Sequence, residues 1–175
     1  MKKLLLAFTT LFISVCSFAQ TSGDMNTELT KKDAWLKAGI EAGVPVGDIS
    51  NFSSFDLGAT VSGQFMDTKH FGIGIVSGYT QFFAKNGAQG FGDIPLGLML
   101  RYYAKPAGFF AGIDLGYSFL TNAGPSGGFY MKPQAGYHNY SWNFYGFYNQ
   151  VFTNQTGADD VQNLGVAAVY NIHFK

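Results

Sequence analysis

From about residue 34 to the end of the chain, apolar and polar side chains alternate with a period of two. Successive Cβ atoms of a β-strand point to opposite faces, so this period sorts each segment into two faces of a sheet. Eight segments show it, over 34–46, 54–66, 71–83, 93–103, 109–120, 127–138, 141–152 and 161–175, with turn-forming residues between them. One face of the first carries Leu36, Ala38, Ile40, Ala42 and Val44; the same face of the eighth carries Leu164, Val166, Ala168, Tyr170, Ile172 and Phe174. No charged residue falls on this face. The strand charges Lys37, Glu41, Asp56, Asp93, Arg101, Asp114 and Lys132 take the other parity, together with Gln64, Gln134, Asn163, Asn171 and many glycines. The seventh segment fits worst, with rings on both parities (Trp142, Phe144 and Tyr148 against Tyr145 and Phe147). Either a bulge slips its phase or bulky rings point to the polar side. Pro133 in the sixth removes a ladder donor, and a local bulge is expected there.

Two architectures accept such a pattern. A soluble lipocalin-like barrel hides the apolar face inside; a membrane barrel turns it outward to lipid and its polar face to the lumen. Charged residues make up 13% of the chain, against about 25% in soluble domains. Aromatics gather near the segment ends, with aliphatic and small residues between, as an interfacial girdle requires. Segments of about ten residues match tilted strands crossing hydrocarbon. The reading is therefore all-β: an eight-stranded antiparallel transmembrane up-and-down β-barrel. Its strand number is even, so both termini face one side, the periplasm in a bacterial envelope. The short turns after the second, fourth and sixth segments then face inward, and the longer Gly-, Asn- and Ser-rich links face outside. The 18 Phe and 10 Tyr exclude a disordered chain. Equal numbers of basic and acidic residues, 11 of each, argue against nucleic acid as a partner.

The first residues read as an address. Met1-Lys2-Lys3 is a positive start, Leu4 to Val15 an apolar run of 12 residues, and Ser17-Phe18-Ala19 a small-residue cleavage site. The run is too short to span a bilayer. The expected organisation is a signal peptide over 1–19, used for secretion through the Sec route, a flexible periplasmic leader over 20–32, and the barrel over 33–175. Lipidation at Cys16 is a rival that the bulky Val15 before it disfavours. Cleavage after Ala19 removes the sole cysteine, leaving no thiol for a disulfide or a metal.

The stretch Ile94-Pro95-Leu96 through Arg101-Tyr102-Tyr103, with Phe109-Phe110-Ala111-Gly112 through Gly116-Tyr117, is similar to the PorT-like outer-membrane β-barrel family. The closing Tyr170, Ile172 and Phe174 resemble the assembly signal at the end of outer-membrane barrels, although Lys175 stands where an aromatic is usual. The resemblance covers about 34–175. It implies a cell outer-membrane location in Gram-negative bacteria, membrane lipid around the barrel, and the outer-membrane insertion machinery as a partner during assembly. It implies no catalytic residue.

Motifs for chemistry are sparse. His70, His138 and His173 fall at the turn end of the barrel, and no G-x-S-x-G or H-E-x-x-H occurs, so they read as turn or lumen residues. Asp159-Asp160 gives too few carboxylates for a cation site. Gly72-Ile73-Gly74 lies within a strand, not before a helix, so it is no nucleotide loop. No catalytic residue, metal or cofactor is expected. The expected role is structural or an interaction through outer loops with an envelope or extracellular partner. A small-solute pore is the alternative, with an outer-leaflet lipid-modifying enzyme more distant. Eight strands leave a lumen that side chains can fill. Within it Glu41, Arg101, Asp114 and Lys132 should form a charge network, with Asp114 and Lys132 close to opposite each other across the fifth and sixth strands and joined by a salt bridge.

Overall fold

The computed structural model describes residues 36–67, 70–85, 87, 89–105, 107–153 and 158–172. The signal peptide, the leader, Cys16, His173 and Phe174 lie outside them. Eight strands follow in order: β1 (Leu36–Pro45), β2 (Ser53–Asp67), β3 (Phe71–Ala84), β4 (Phe91–Tyr103), β5 (Gly108–Thr121), β6 (Gly127–His138), β7 (Trp142–Thr153) and β8 (Val161–Ile172). Each pairs antiparallel with the next, and β1 closes on β8 from Leu36↔Ile172 to Pro45↔Asn163. The result is a closed up-and-down barrel.

The rim holding the start of β1 and the end of β8 is called the near rim here. Its turns, after β2, β4 and β6, have three or four residues; the far-rim links, after β1, β3, β5 and β7, have five to seven. The first far link folds into a 3-10 turn, Gly47–Asn51. Gly47 starts it at φ 64°, a left-handed conformation in which glycine carries no side-chain penalty.

The faces sort as the parity demands. Ile40 is 69% exposed and Phe109 76%, whereas Asp56 on the other parity is fully buried. Apolar side chains therefore coat the outer wall and polar ones fill the lumen, the inverse of a soluble barrel. The coat is banded. Phe71–Tyr102, Phe109–Tyr137 and Trp142–Tyr170 ring contacts mark the near side. Phe55–Phe83, Tyr117–Phe119 and Phe129–Phe152 mark the far side. Ile75, Leu98 and Val166 lie exposed between the two bands.

In β7 the phase does not slip. Asn143, Tyr145, Phe147, Asn149 and Val151 are buried in alternation, so the second explanation holds and rings fill the lumen. The bulge expected at Pro133 is absent. The β6–β7 ladder skips Lys132 and Pro133, then resumes in the same register from Met131↔Gln150 to Gln134↔Phe147. Pro95 likewise falls beside a skipped stretch of the β3–β4 ladder, between Ser77↔Leu96 and Thr80↔Asp93. Both prolines cost a ladder bond and leave a gap, but the register continues unchanged on either side, so neither strand bulges. The register shifts occur instead in β2, between Ser53 and Phe55 and between Gln64 and Met66.

Lumen glycines let neighbouring strands and side chains approach. A Cβ on the lumen-facing Gly116 would press on the backbone of Leu96 and Gly97, whereas one on Gly146, exposed on the outer face of β7, would meet only Gly165 O at 3.8 Å. Gly116→Val should therefore cost about 1–3 kcal/mol through overpacking, and Gly146→Val should cost much less. Urea unfolding of both variants in detergent micelles measures the contrast, and equal midpoints would contradict it.

Candidate functional site

The lumen is where the chain concentrates its charge. Arg101 enters from β4. Its Cα partner on β5 is Gly112, and a Cβ there would sit 2.5 Å from Arg101 Cδ. The missing side chain opens a lane along which the guanidinium runs to Asp114, the next inward residue. Arg101 Nη1 donates to Asp114 Oδ1 at 2.7 Å. Gln134 Nε2 on β6 donates to the second carboxylate oxygen at 2.9 Å.

Lys132 turns the other way. Its ammonium passes over the face of Phe147, 4.1 Å from the ring centroid, and donates to both carboxylate oxygens of Glu41 on β1, at 2.7 and 2.6 Å. Tyr145 Oη donates to Glu41 Oε1 at 3.4 Å. All four charged residues are at most 9% exposed. At such burial a charge left without a partner costs several kcal/mol, so each cation needs its carboxylate.

The structure corrects the pairing expected from the sequence. Asp114 and Lys132 are Cα partners across β5 and β6, but they make no salt bridge with each other. Directly opposite side chains leave parallel to one another, whereas Arg101 reaches Asp114 diagonally from the neighbouring β4 and Lys132 crosses the lumen to Glu41 on β1. Two separate ion pairs result, Arg101–Asp114 and Lys132–Glu41.

Toward the far rim a second polar chain crosses the lumen. Ser118 donates to Asp93. Asn149 donates to Asp93 at 3.5 Å and to Asn163 at 3.1 Å, and Asn163 donates to Asp56 at 3.1 Å. Five strands are tied by these bonds. Asp56, Asp93 and Asn163 carried the right parity in the sequence; Asn149 was hidden by the aromatic-rich seventh segment.

Apolar plugs close both halves. Phe82 and Phe91 stack at 4.5 Å beneath Ile49 of the 3-10 turn, with Tyr130, Val151 and Val161. Tyr103, Phe110, Tyr145 and Phe147 fill the near half with Ala167 and Val169. The void left between Arg101, Tyr103, Phe110 and Tyr145 is about 20 Å³, room for roughly one water.

The histidines support turns. His70 Nδ1 donates to Tyr103 O and His138 Nε2 to Lys105 O, each at 3.0 Å. Asp160 accepts from Thr153 N at 3.0 Å and Gln150 Nε2 at 3.2 Å, which engages it in holding the last far link. Among the described residues no three His, Cys, Asp or Glu side chains gather as a metal site. Gly72 and Gly74 both face inward, where Gly72 leaves room for the Gln64 amide. Tyr170 and Ile172 lie on the last turn of β8, paired with Ala38 and Leu36 of β1.

No family model and no curated protein matches this chain. Among solved structures, it is similar to a barrel from work on the de novo design of transmembrane β-barrels. That likeness has 11% identity and TM-score 0.49, covering 83% of this chain and 100% of the other. It is also similar to the outer membrane protein OprG from Pseudomonas aeruginosa, with 13% identity and TM-score 0.44, covering 79% of this chain and 95% of the other. At these levels neither likeness bears on what the chain does.

The two ion pairs should appear as energetic coupling. Arg101→Ala and Asp114→Ala should each destabilise the barrel by about 3–5 kcal/mol, because each leaves a buried charge alone. The double variant should cost less than their sum, by about 0.5–3 kcal/mol. The cycle built on Asp114 and Lys132 should show weaker coupling. Unfolding free energies in micelles test this, and the reverse ranking would restore the Asp114–Lys132 pair.

Proposed function

We propose that this chain is an integral outer-membrane protein with both termini periplasmic, acting as a structural or interaction barrel and neither a conductor nor an enzyme. The observation that carries this reading is the inverted barrel itself. Its outer wall is apolar between two aromatic bands, while its strand charges lie inside, four of them in two ion pairs. Such a wall suits hydrocarbon, where every backbone polar group must be paired and an open sheet edge is forbidden. The short near-rim turns and longer far-rim links support placing the far rim outside the cell. The signal-like start and the resemblance of 94–117 to the PorT-like family support the same envelope location.

The filled lumen speaks against the pore. A solute path would have to cross both apolar plugs and both ion pairs. The heat-modified gel shift is the first test: a closed barrel should stay folded in SDS until boiled and migrate differently before and after. Native protein recovered in the soluble periplasmic fraction would overturn the membrane assignment. In planar bilayers the folded protein should show no steady single-channel steps; regular steps would overturn the non-conducting role.

Tyr170, Ile172 and Phe174 are proposed as the signal read by the insertion machinery. Phe174→Ala should lower the outer-membrane yield of the chain more than a lumen change such as Ser62→Ala. Asn171 is a poor control, because its amide donates to Asn139 O at 3.2 Å and Tyr140 O at 3.0 Å and so holds a turn. Equal yields for Phe174→Ala and Ser62→Ala would remove the signal assignment.

A further inference from the structure

The four far-rim links converge on a cup of about 420 Å³, within the range of small-molecule sites. We propose that it binds a small organic cation with a compact apolar body, such as an arylalkylamine. The site deepens the interaction role proposed above, and only its access from outside the cell depends on that orientation.

The cup is built by bonds that pin each link. Val46 N donates to Gln162 O at 2.9 Å and Lys85 N to Phe52 O at 2.9 Å, so the first link is tied to β8 and to the second link. Leu120 N donates to Ser126 O at 3.0 Å, closing the third link around Asn122, whose φ of 58° is left-handed. Asp160 holds the fourth through Thr153 and Gln150. These bonds hold the described lining residues of the first and third links and the ends of the second and fourth, which lowers the ordering cost of binding.

Its chemistry is asymmetric. Ile49, Phe91, Leu120 and Val161 make the floor and belong to the buried plug, so the cup is closed below. Phe52 forms part of the wall, 49% exposed on a link that faces water. A large ring held half in water on a pinned turn offers an apolar face and a π-surface to a cation. Asp159 is the sole charged residue among those described in the lining. Its neighbour Asp160 is engaged in holding the link, whereas no hydrogen bond or ion pair is seen for the Asp159 carboxylate among the described residues. An apolar floor with one carboxylate at the rim complements a molecule with an apolar body and one positive head. Anions of the same shape meet the carboxylate's repulsion.

The test uses the full chain folded in detergent micelles, with three probes sharing one body: 2-phenylethylamine, 2-phenylethanol and 3-phenylpropionate. Calorimetric or NMR titration should rank the amine tightest, by about three- to fivefold over the alcohol, the size of a partly exposed ion pair. Asp159→Asn should erase that preference while leaving the alcohol's affinity unchanged. Ala123→Phe, which fills the cup from the third link, should abolish binding of all three, with folding checked by the heat-modified gel shift. Equal affinity for the three probes overturns the cation assignment. Binding that survives Ala123→Phe reports partition into the micelle and overturns the site. Orientation is read separately, by labelling a cysteine placed at Asp159 in intact cells. A periplasmic far rim would refute the orientation and leave the binding result standing.

Discussion

The pairing of β1 with β8 is the constraint on which everything else depends. Ten residues of β1 meet ten of β8 in an unbroken register. This ladder removes the last free edge of the sheet, so no strand offers unpaired donors and acceptors. Closure also sets the diameter. Eight strands enclose a space that side chains can just fill, and no water column remains to solvate what points inward. Charges on the inner parity are then costly to leave alone, and ion pairs or neutral donors meet most of them, although Asp56 Oδ2 has no hydrogen-bond partner among the described residues. The paired carboxylates, the amide chain and the crowded lumen glycines are consequences of a ring this small.

The lumen solves that problem in two ways. Nearer the middle it uses opposite charges, Arg101 with Asp114 and Lys132 with Glu41. Nearer the far rim it uses neutral donors, with Ser118, Asn149 and Asn163 serving Asp93 and Asp56. Lys132 on β6 spans the lumen to Glu41 on β1, Arg101 runs diagonally to Asp114 on the neighbouring strand, and Asn149 and Asn163 cross between non-adjacent strands to Asp93 and Asp56. Glycine on an adjoining strand supplies space for the larger side chains. Gly112 beside Arg101 is the clearest case, and Gly165, against which the Phe147 ring packs, is a second. Phe147 in turn supports the Lys132 stem and ammonium.

Much of this was legible in the alternation. Parity placed the outer coat and the lumen charges, and the turn clusters placed all eight strands within a few residues. It even put Asp114 close to opposite Lys132, one residue off the observed register. What parity could not give is the direction a long side chain takes once inside. Register fixes Cα neighbours about 5 Å apart, yet Arg and Lys stems exceed that distance, so the partner is chosen by where space is left. The signal was present in Gly112, two residues from Asp114 and across from Arg101, but it becomes readable only when the β4–β5 register is known. Pro133 misled for a related reason. The missing donor interrupts the β6–β7 ladder at Lys132 and Pro133 but leaves its register unchanged, so the strand loses a bond without gaining a bulge. The bulges of β2 left no mark in the alternation, because a one-residue shift at a strand end changes few faces.

The filled lumen confines where such a barrel can act. Opening a path along its axis means separating two buried ion pairs, each costing several kcal/mol when one partner is left alone. It also means unstacking Phe82 from Phe91 and displacing Ile49, which together close the far end. Thermal fluctuation rarely supplies the sum of these costs. The inner ion pairs hold the ring together. On the non-conducting role proposed above, recognition falls to the outer wall and the two rims. The near rim is short turns fastened by His70 and His138. The far rim is longer, holds Asp48, Asp159 and Asp160, and is pinned into a concave shape. Packing in the lumen and shape at the far rim are thus continuous: the apolar plug that contains Ile49, Phe91, Leu120 and Val161 is also the floor of the far-rim cup.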